Sequence, residues 1–416
     1  MTDVPRSTGR GRTLPQGEFV AMIAILFATI AFSIDAMLPA LPQIAAELTP
    51  EAVNRAQLVL ATFVLGMGMG TLVAGPLSDS IGRKRAIVGF VGLYILGAVA
   101  AAMSTSMEML LAARLVQGLG AAGPRIVSIA LVRDLYEGRT MARIMSFVMM
   151  IFILIPAIAP SIGALIMAGF GWRGIFAAFV VFGITGALWL GLRQEETLPP
   201  EARRPFRAGP LWEAFTEVLS HRLVLLYSAV LTLGFAQMFA LLSSIQQIYG
   251  ETFGKADSFP LWFAATGILS GGGTIVNATL VMRLGMRRLA IAAYAVQTAI
   301  SGALLLASVA GLLPAAIAFP VFFAWSVSVF FMAGLTFGNL NALALQPLGH
   351  IAGMAASVVG ALSTVGSVII AAPIGLAFDG TIVPLAAGTF VCSALALWLM
   401  RWSREADPEP KRTPPG

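Results

Sequence analysis

Apolar residues in this chain gather into long runs separated by short polar breaks. A helix needs about 20 mostly apolar residues to cross a bilayer. Runs of that length fall at about 19–41, 56–77, 86–104, 108–132, 142–168, 173–192, 222–248, 258–282, 288–310, 314–340, 353–377 and 382–402. The pattern predicts an all-α integral membrane protein with twelve spanning helices. The first run is longer than a signal-peptide core and a second follows at once, so it is read as an uncleaved first helix.

Composition changes the picture only by exclusion. Of the 416 residues, 58% are apolar and 11% are charged, whereas a soluble domain carries about 25% charged residues. The mean hydropathy is +0.88. A soluble enzyme, a disordered scaffold and a disulfide-stapled secreted domain are excluded. Cys392 is the one cysteine and can form no internal disulfide, and His221 and His350 lie in separate polar segments, against a histidine-built metal centre.

The net charge of +6 would by itself suggest a nucleic-acid partner, but the positions of the charges give another account. With the N-terminus in the cytoplasm, 21 of the 26 Lys and Arg fall on the cytoplasmic side. They include Arg83, Lys84 and Arg85 between helices 2 and 3, Arg133, Arg139 and Arg143 between helices 4 and 5, and Arg283, Arg287 and Arg288 between helices 8 and 9. The other side keeps only Arg55, Arg173 and Lys255. This is the positive-inside distribution: both termini are expected in the cytoplasm, the bilayer is the partner, and no nucleic acid is.

The expected organisation is an N-tail (1–18), six helices (19–192), a cytoplasmic linker (193–221), six more helices (222–402) and a C-tail (403–416). In the linker, apolar residues at 211, 212, 215, 218 and 219 predict a short helix on the membrane surface. Gly82-Arg83-Lys84-Arg85 and Gly285-Met286-Arg287-Arg288 form a weak internal repeat, as in transporters with two parallel six-helix halves.

Three ionisable residues lie well within spans: Asp35, Arg114 and Arg125. Each costs about 2.5–3.5 kcal/mol near a helix centre, and such residues are usually functional. Asp35 lies about 24 Å from the cytoplasmic end of helix 1, and Arg114 about 21 Å from the same face. At similar depth they can share a cavity, with Asp35 as a protonatable switch, or lock helices 1 and 4 as a structural ion pair. Arg125 lies about 26 Å down helix 4 and either faces a cavity or snorkels to the interface. Phe32, Gln117, Gln237, Met238 and Phe239 are candidates to line the cavity. Pro156, Pro160 and Gly163 bend helix 5, and Gly267, Gly271, Gly272 and Gly273 would let helix 8 pack closely against it. Asp79, between Gly75 and Gly82, with Arg83 and Arg85 just after them, is either part of a working contact or of a loop that only sets topology. No phosphate-binding loop of the form Gly-x4-Gly-Lys-[Ser/Thr] is present, and no Ser/His, Cys/His or metal-ligand constellation supports a membrane enzyme.

The loop Gly75-Pro76-Leu77-Ser78-Asp79-Ser80-Ile81-Gly82-Arg83-Lys84-Arg85 resembles the signature between helices 2 and 3 of the major facilitator superfamily. Arg114-Leu115-Val116-Gln117-Gly118-Leu119-Gly120-Ala121 is similar to that family's helix 4 motif, and Pro156-Ala157-Ile158-Ala159-Pro160-Ser161-Ile162-Gly163 to the helix 5 motif of its antiporters. Asp35-Ala36-Met37-Leu38-Pro39 and Gly171-Trp172-Arg173-Gly174 resemble the bicyclomycin-resistance-type (Bcr/CflA) drug efflux subfamily. The order Asp35-Ala36-Met37-Leu38 departs from the subfamily's usual pattern, and Gly163-Ala164 departs from the doubled glycine of the helix 5 motif. The resemblance implies the twelve-helix major facilitator fold and a monomeric, cofactor-free antiporter that exports small amphipathic drugs or metabolites across the inner membrane in exchange for protons. It implies a cytoplasmic gate at Gly75, Asp79, Gly82, Arg83 and Arg85 that latches near helix 11, and a leak barrier at Pro156, Pro160 and Gly163. A proton-coupled importer of a small nutrient is the alternative.

Overall fold

Inside a bilayer every backbone N–H and C=O needs a partner within the protein, so a spanning chain of this composition has to be helical. The computed structural model describes residues 14–203 and 205–406, and no strand occurs among them. The basic residues expected in the two tails at Arg6, Arg10, Arg12, Lys411 and Arg412, and Arg204 of the linker, lie outside the described residues.

The helices in chain order are α1 (Gln16–Asp35), the short α2 (Leu41–Leu48), α3 (Leu58–Ile81), α4 (Arg83–Ala102), α5 (Met107–Leu135), α6 (Gly138–Arg193), α7 (Ala208–Ser220), α8 (Arg222–Gln247), α9 (Phe259–Leu284), α10 (Met286–Val309), α11 (Ala315–Leu345), α12 (Ala352–Leu376) and α13 (Val383–Ala406). Ten helical tracts among the described residues are long and apolar enough to cross a membrane. Two of them hold two crossings each, which gives the twelve expected. α6 turns back at Gly171, whose φ of 66° and ψ of −177° only glycine adopts easily. The tract from α11 to α12 is broken by the turn Gln346–Ile351, with Leu348 outside the helical region.

α1 is shorter than its apolar run. It ends at Asp35, and the chain continues through a 3-10 turn, Leu38–Ala40, with Pro39 at its start. Asp35 therefore stands at a helix terminus and not inside a continuous span.

In the first half, small residues let the helices approach to backbone contact, the usual device where lipid supplies no hydrophobic drive between helices. A Cβ on Gly66 of α3 would collide with the Leu115 carbonyl of α5, and one on Gly118 of α5 with the Phe63 carbonyl of α3. In the second half, Gly273 of α9 meets the Phe331 backbone of α11. The halves touch along α3 and α12 and along α6 and α9.

The apolar core has an uneven shape. One cluster runs across both halves at the arginine-poor end, joining Ile34, Leu60 and Val64 to Leu242, Ile245, Val368 and Ala371. Towards the arginine-rich end it divides. One cluster there holds Phe19, Ile87, Val127 and Leu131 of the first half; the other holds Val224, Tyr227, Leu340 and Val359 of the second.

The linker forms the expected surface helix, α7. Its predicted apolar face is divided in use: Leu211, Phe215 and Val218 pack on the second half, while Trp212 and Leu219 are exposed. Glu217 of α7 also pairs with His350 at 2.9 Å.

Gly118→Val should therefore force α5 off α3 and cost about 1–3 kcal/mol, the usual range for overpacking. Gly89→Val, where a Cβ meets nothing within 4 Å, should be close to neutral. Thermal unfolding of the two purified variants in detergent checks the contrast.

Candidate functional site

Arg114 is fully buried, so its donors must be met by protein. Nε donates to the Val59 carbonyl of α3 at 3.1 Å and one Nη to the Ser33 carbonyl of α1 at 3.1 Å. The other Nη donates to Gln117 Oε1 at 2.8 Å, and the guanidinium lies 4.3 Å from the centre of the Phe63 ring. Ser33 and Tyr94 share a further hydrogen bond of 2.7 Å between their hydroxyls. One side chain thus ties α5 to both α1 and α3.

Asp35 is not part of this arrangement. Its depth suggests a common network with Arg114, but no ion pair joins them. The Asp35 carboxyl is buried, at 4% exposure, and has no hydrogen-bond or ion-pair partner among the described residues. The alternative of an ion pair locking helices 1 and 4 is not realised: Arg114 spends its donors on two main-chain carbonyls and Gln117 Oε1, and Asp35 remains unpaired. The neighbouring Ala36 carbonyl is where Gly163 of α6 makes its closest approach, so that a Cβ at 163 would collide with it. The helix 5 motif therefore abuts the end of α1 beside Asp35. Pro156 and Pro160 are accommodated within the same helix. Of the helix 8 glycines, only Gly267 faces this motif, near Ala157; Gly272 and Gly273 face Phe331 of α11, and Gly271 has open space around it.

The candidate cavity residues separate. Phe32 faces away from the interface between the halves. Its ring packs on Phe179 at 5.5 Å and Phe182 at 5.2 Å, in the core between α1 and the second arm of α6. Gln117 and Gln237 are fully buried, and each keeps one polar atom without a partner, Gln117 Nε2 and Gln237 Oε1. Phe239 does line a cavity between the halves, together with Ile34, Gln57, Val64, Ser243 and Val368. That space has room for about one water molecule. Met238 is half-buried and is not among its lining residues.

Sequence reasoning missed what closes this cavity. Asn54 Nδ2 donates to the carbonyls of Leu376 at 3.1 Å and Phe378 at 2.7 Å. Gln57 Nε2 donates to Gln247 Oε1 at 2.7 Å, and Gln247 Nε2 to Asn54 Oδ1 at 2.9 Å. Ser244 donates to Gln57 Oε1 at 3.1 Å. These hydrogen bonds join the two halves at the arginine-poor end. Two of the three basic residues there are paired within the first half, Arg55 with Glu108 at 2.8 Å and Arg173 with Glu47 at 2.7 Å.

At the arginine-rich end the ionic contacts of the first half centre on Arg83. Arg83 pairs with Asp79 and, at 3.0 Å, with Asp134 of α5. It also donates to Ser78 Oγ at 2.7 Å. Glu196 of the linker accepts from the backbone N–H of Arg83 at 2.8 Å and of Lys84 at 3.2 Å, a carboxylate placed at the positive end of α4. Gly82 supplies the turn between α3 and α4 with a φ of 103°. Arg85 is exposed and makes no ion pair among the described residues. The approach to the other half is at Gly75, where a Cβ would lie 3.6 Å from Ser357 Oγ of α12. The expected latch of Asp79 onto helix 11 is not made in this arrangement; Asp79 is engaged with Arg83 instead.

Twelve crossings with a core fused at one end and divided at the other define a helical membrane transporter. The family profile of the Major Facilitator Superfamily matches residues 22–371, and the chain belongs to that family. It is a transporter family, so the protein is not an enzyme. The chain is 28% identical over 393 residues to the uncharacterized MFS-type transporter YdgK of Bacillus subtilis, covering 92% of this chain and 95% of that one. It is 29% identical over 350 residues to the bicyclomycin resistance protein homolog of Haemophilus influenzae, covering 83% and 85%, in line with the subfamily resemblance read from the motifs. The fold is shared with the xylose transporter XylE from E. coli in a partially occluded inward-open form, with a TM-score of 0.72 at 12% identity over 96% of this chain and 99% of that one.

Asn54→Ala combined with Gln247→Ala removes hydrogen bonds that each contribute about 0.5–1.5 kcal/mol. A cysteine at position 243, in a Cys392→Ser background, should then react about tenfold faster with an impermeant maleimide added from that side. An unchanged rate would show that the network does not hold this end shut.

Proposed function

We propose that this transporter exports small amphipathic drugs or metabolites across the inner membrane in exchange for protons. Both termini lie in the cytoplasm, so the closed end faces outward and the arginine-rich end inward. The observation that carries the coupling is Asp35, a buried carboxyl that no cation holds, at the end of α1 against Gly163 of α6. Its charged form needs water or a cation close by, and its protonated form does not. Proton occupancy therefore biases which arrangement of α1 and α6 is favoured, and a proton can shift a two-state equilibrium only through such a difference. Arg114 serves by fixing α1, α3 and α5 around this point.

The efflux direction rests on the helix 5 motif and on the drug-resistance name of the Haemophilus relative. The Arg83 cluster acts as the inner gate in the opposite arrangement, when Asp79 turns to the cytoplasmic end of α12. The protein works as a monomer, without a cofactor, on the proton gradient.

Asp35→Asn keeps the size and hydrogen bonding of the side chain and removes its titration. Substrates come first from a resistance panel of chemically diverse antibiotics on cells expressing the chain. Substrate-induced proton release by the purified variant should then be lost, and efflux under an imposed pH gradient should fall to background. In the wild type, binding of a neutral substrate should weaken as the pH falls, because protonated Asp35 marks the state that has released its cargo; in Asp35→Asn that dependence should vanish. Continued pumping by the variant would place the proton site elsewhere, and uptake in place of efflux in oriented vesicles would favour the importer.

A further inference from the structure

Arg125 has no role in anything described so far, and its placement is specific. It is 11 residues beyond Arg114 on α5, which is about 16 Å along the axis and within about 20° of three full turns. The two arginines therefore lie on one stripe of the helix. Both flanks of that stripe are taken. α3 packs on Gly118 and Ala122, and α4 on Gly120 and Gly123. At its other end, Arg114 shows where the stripe points: towards α1 and α3.

Arg125 is exposed on the stripe of α5 that α3 and α4 leave open. The same stripe carries Arg114 towards α1, so Arg125 lines an opening within the bundle and does not look out on lipid. Snorkelling does not describe it.

Arg125 also lacks a counter-ion. It makes no hydrogen bond, ion pair or ring contact among the described residues. Asp79 and Asp134, at the arginine-rich end, are held by Arg83. A guanidinium is always charged and presents paired donors that match a carboxylate. Arg133, Arg139 and Arg143 are exposed towards the same end of the bundle and add positive potential at its mouth, which concentrates anions.

We infer that Arg125 is a substrate-binding residue that receives a carboxylate, so the molecules this transporter carries include amphipathic aryl carboxylates. The inference rests on the efflux reading for its direction, but the site can be tested by binding alone. The probes are a panel of aryl carboxylic acids, each paired with its own neutral carboxamide, and the readout is ligand-induced thermal stabilisation of the purified protein at neutral pH. The wild type should favour the acids over their amides by about tenfold or more in apparent affinity. Arg125→Gln should erase that preference while leaving the amides unaffected, and Arg125→Lys should keep part of it. A wild type without carboxylate preference, or an Arg125→Gln protein that retains it, overturns the inference. Carboxylate preference without proton-driven efflux from vesicles would sink the efflux reading and leave the site standing; efflux without the preference would do the reverse.

Discussion

Hydrocarbon offers no hydrogen bonds, so each polar group carried into it must find a partner in the protein or be left for something that comes and goes. This constraint organises the molecule. Backbone groups are closed within helices. The Arg114 guanidinium is matched by two main-chain carbonyls, the Gln117 amide and the Phe63 ring. Arg83 is matched by Asp79, Asp134 and Ser78. Such satisfied groups fix helix against helix and give each half its rigidity. Among the described residues, Asp35 and Arg125 are two charged side chains left without partners. On the proposed reading, what fills them is mobile: a proton for one, an anion for the other.

The same constraint explains why the halves are joined as they are. Asn54, Gln57, Ser244 and Gln247 are neutral, and their hydrogen bonds can be exchanged for water with little net change. A closure built from ion pairs in a dry interface would cost more to break, since parting a buried pair leaves uncompensated charge. The ion pairs Arg55–Glu108, Arg173–Glu47 and Arg83–Asp134 lie inside the first half, where nothing has to separate. Neutral amides close the arginine-poor end, apolar residues complete the seal, and the halves can part there without exposing a bare charge to lipid.

The fold was largely legible because hydropathy and charge act through the bilayer itself. A run such as 86–104 has one place to go, and Arg83, Lys84 and Arg85 decide which side its start lies on. The site was less legible, because sequence fixes depth along a helix but not direction around it. Asp35 and Arg114 share a depth, yet Arg114 turns to the Ser33 and Val59 carbonyls. Phe32 is close in sequence to Asp35 and faces Phe179 and Phe182 instead. The closing amides drew no notice because polar residues at span ends are what any loop would show; only the pairing of Asn54 and Gln57 with Gln247, far away in the chain, gives them meaning. The period of α5 could have decided Arg125, since 11 residues return almost to the same face and that face begins at Arg114.

Energetics join the two unpaired residues. A potential of about 100 mV supplies about 2.3 kcal/mol per elementary charge moved. Exchange of a neutral solute for one proton moves a single charge inward and gains that much from the potential. If the solute leaves as a carboxylate, its outward passage adds a second charge in the same sense and roughly doubles the gain. On the proposed reading, Arg125 makes that cargo bindable, since without a cation a carboxylate could not enter a dry bundle at reasonable cost, and Asp35 ties the departure of the cargo to an incoming proton. A cation placed towards the arginine-rich mouth and an acid placed towards the arginine-poor closure then have opposite tasks in one cycle, which is a physical reason for them to lie apart and unpaired and not to neutralise each other as an ion pair.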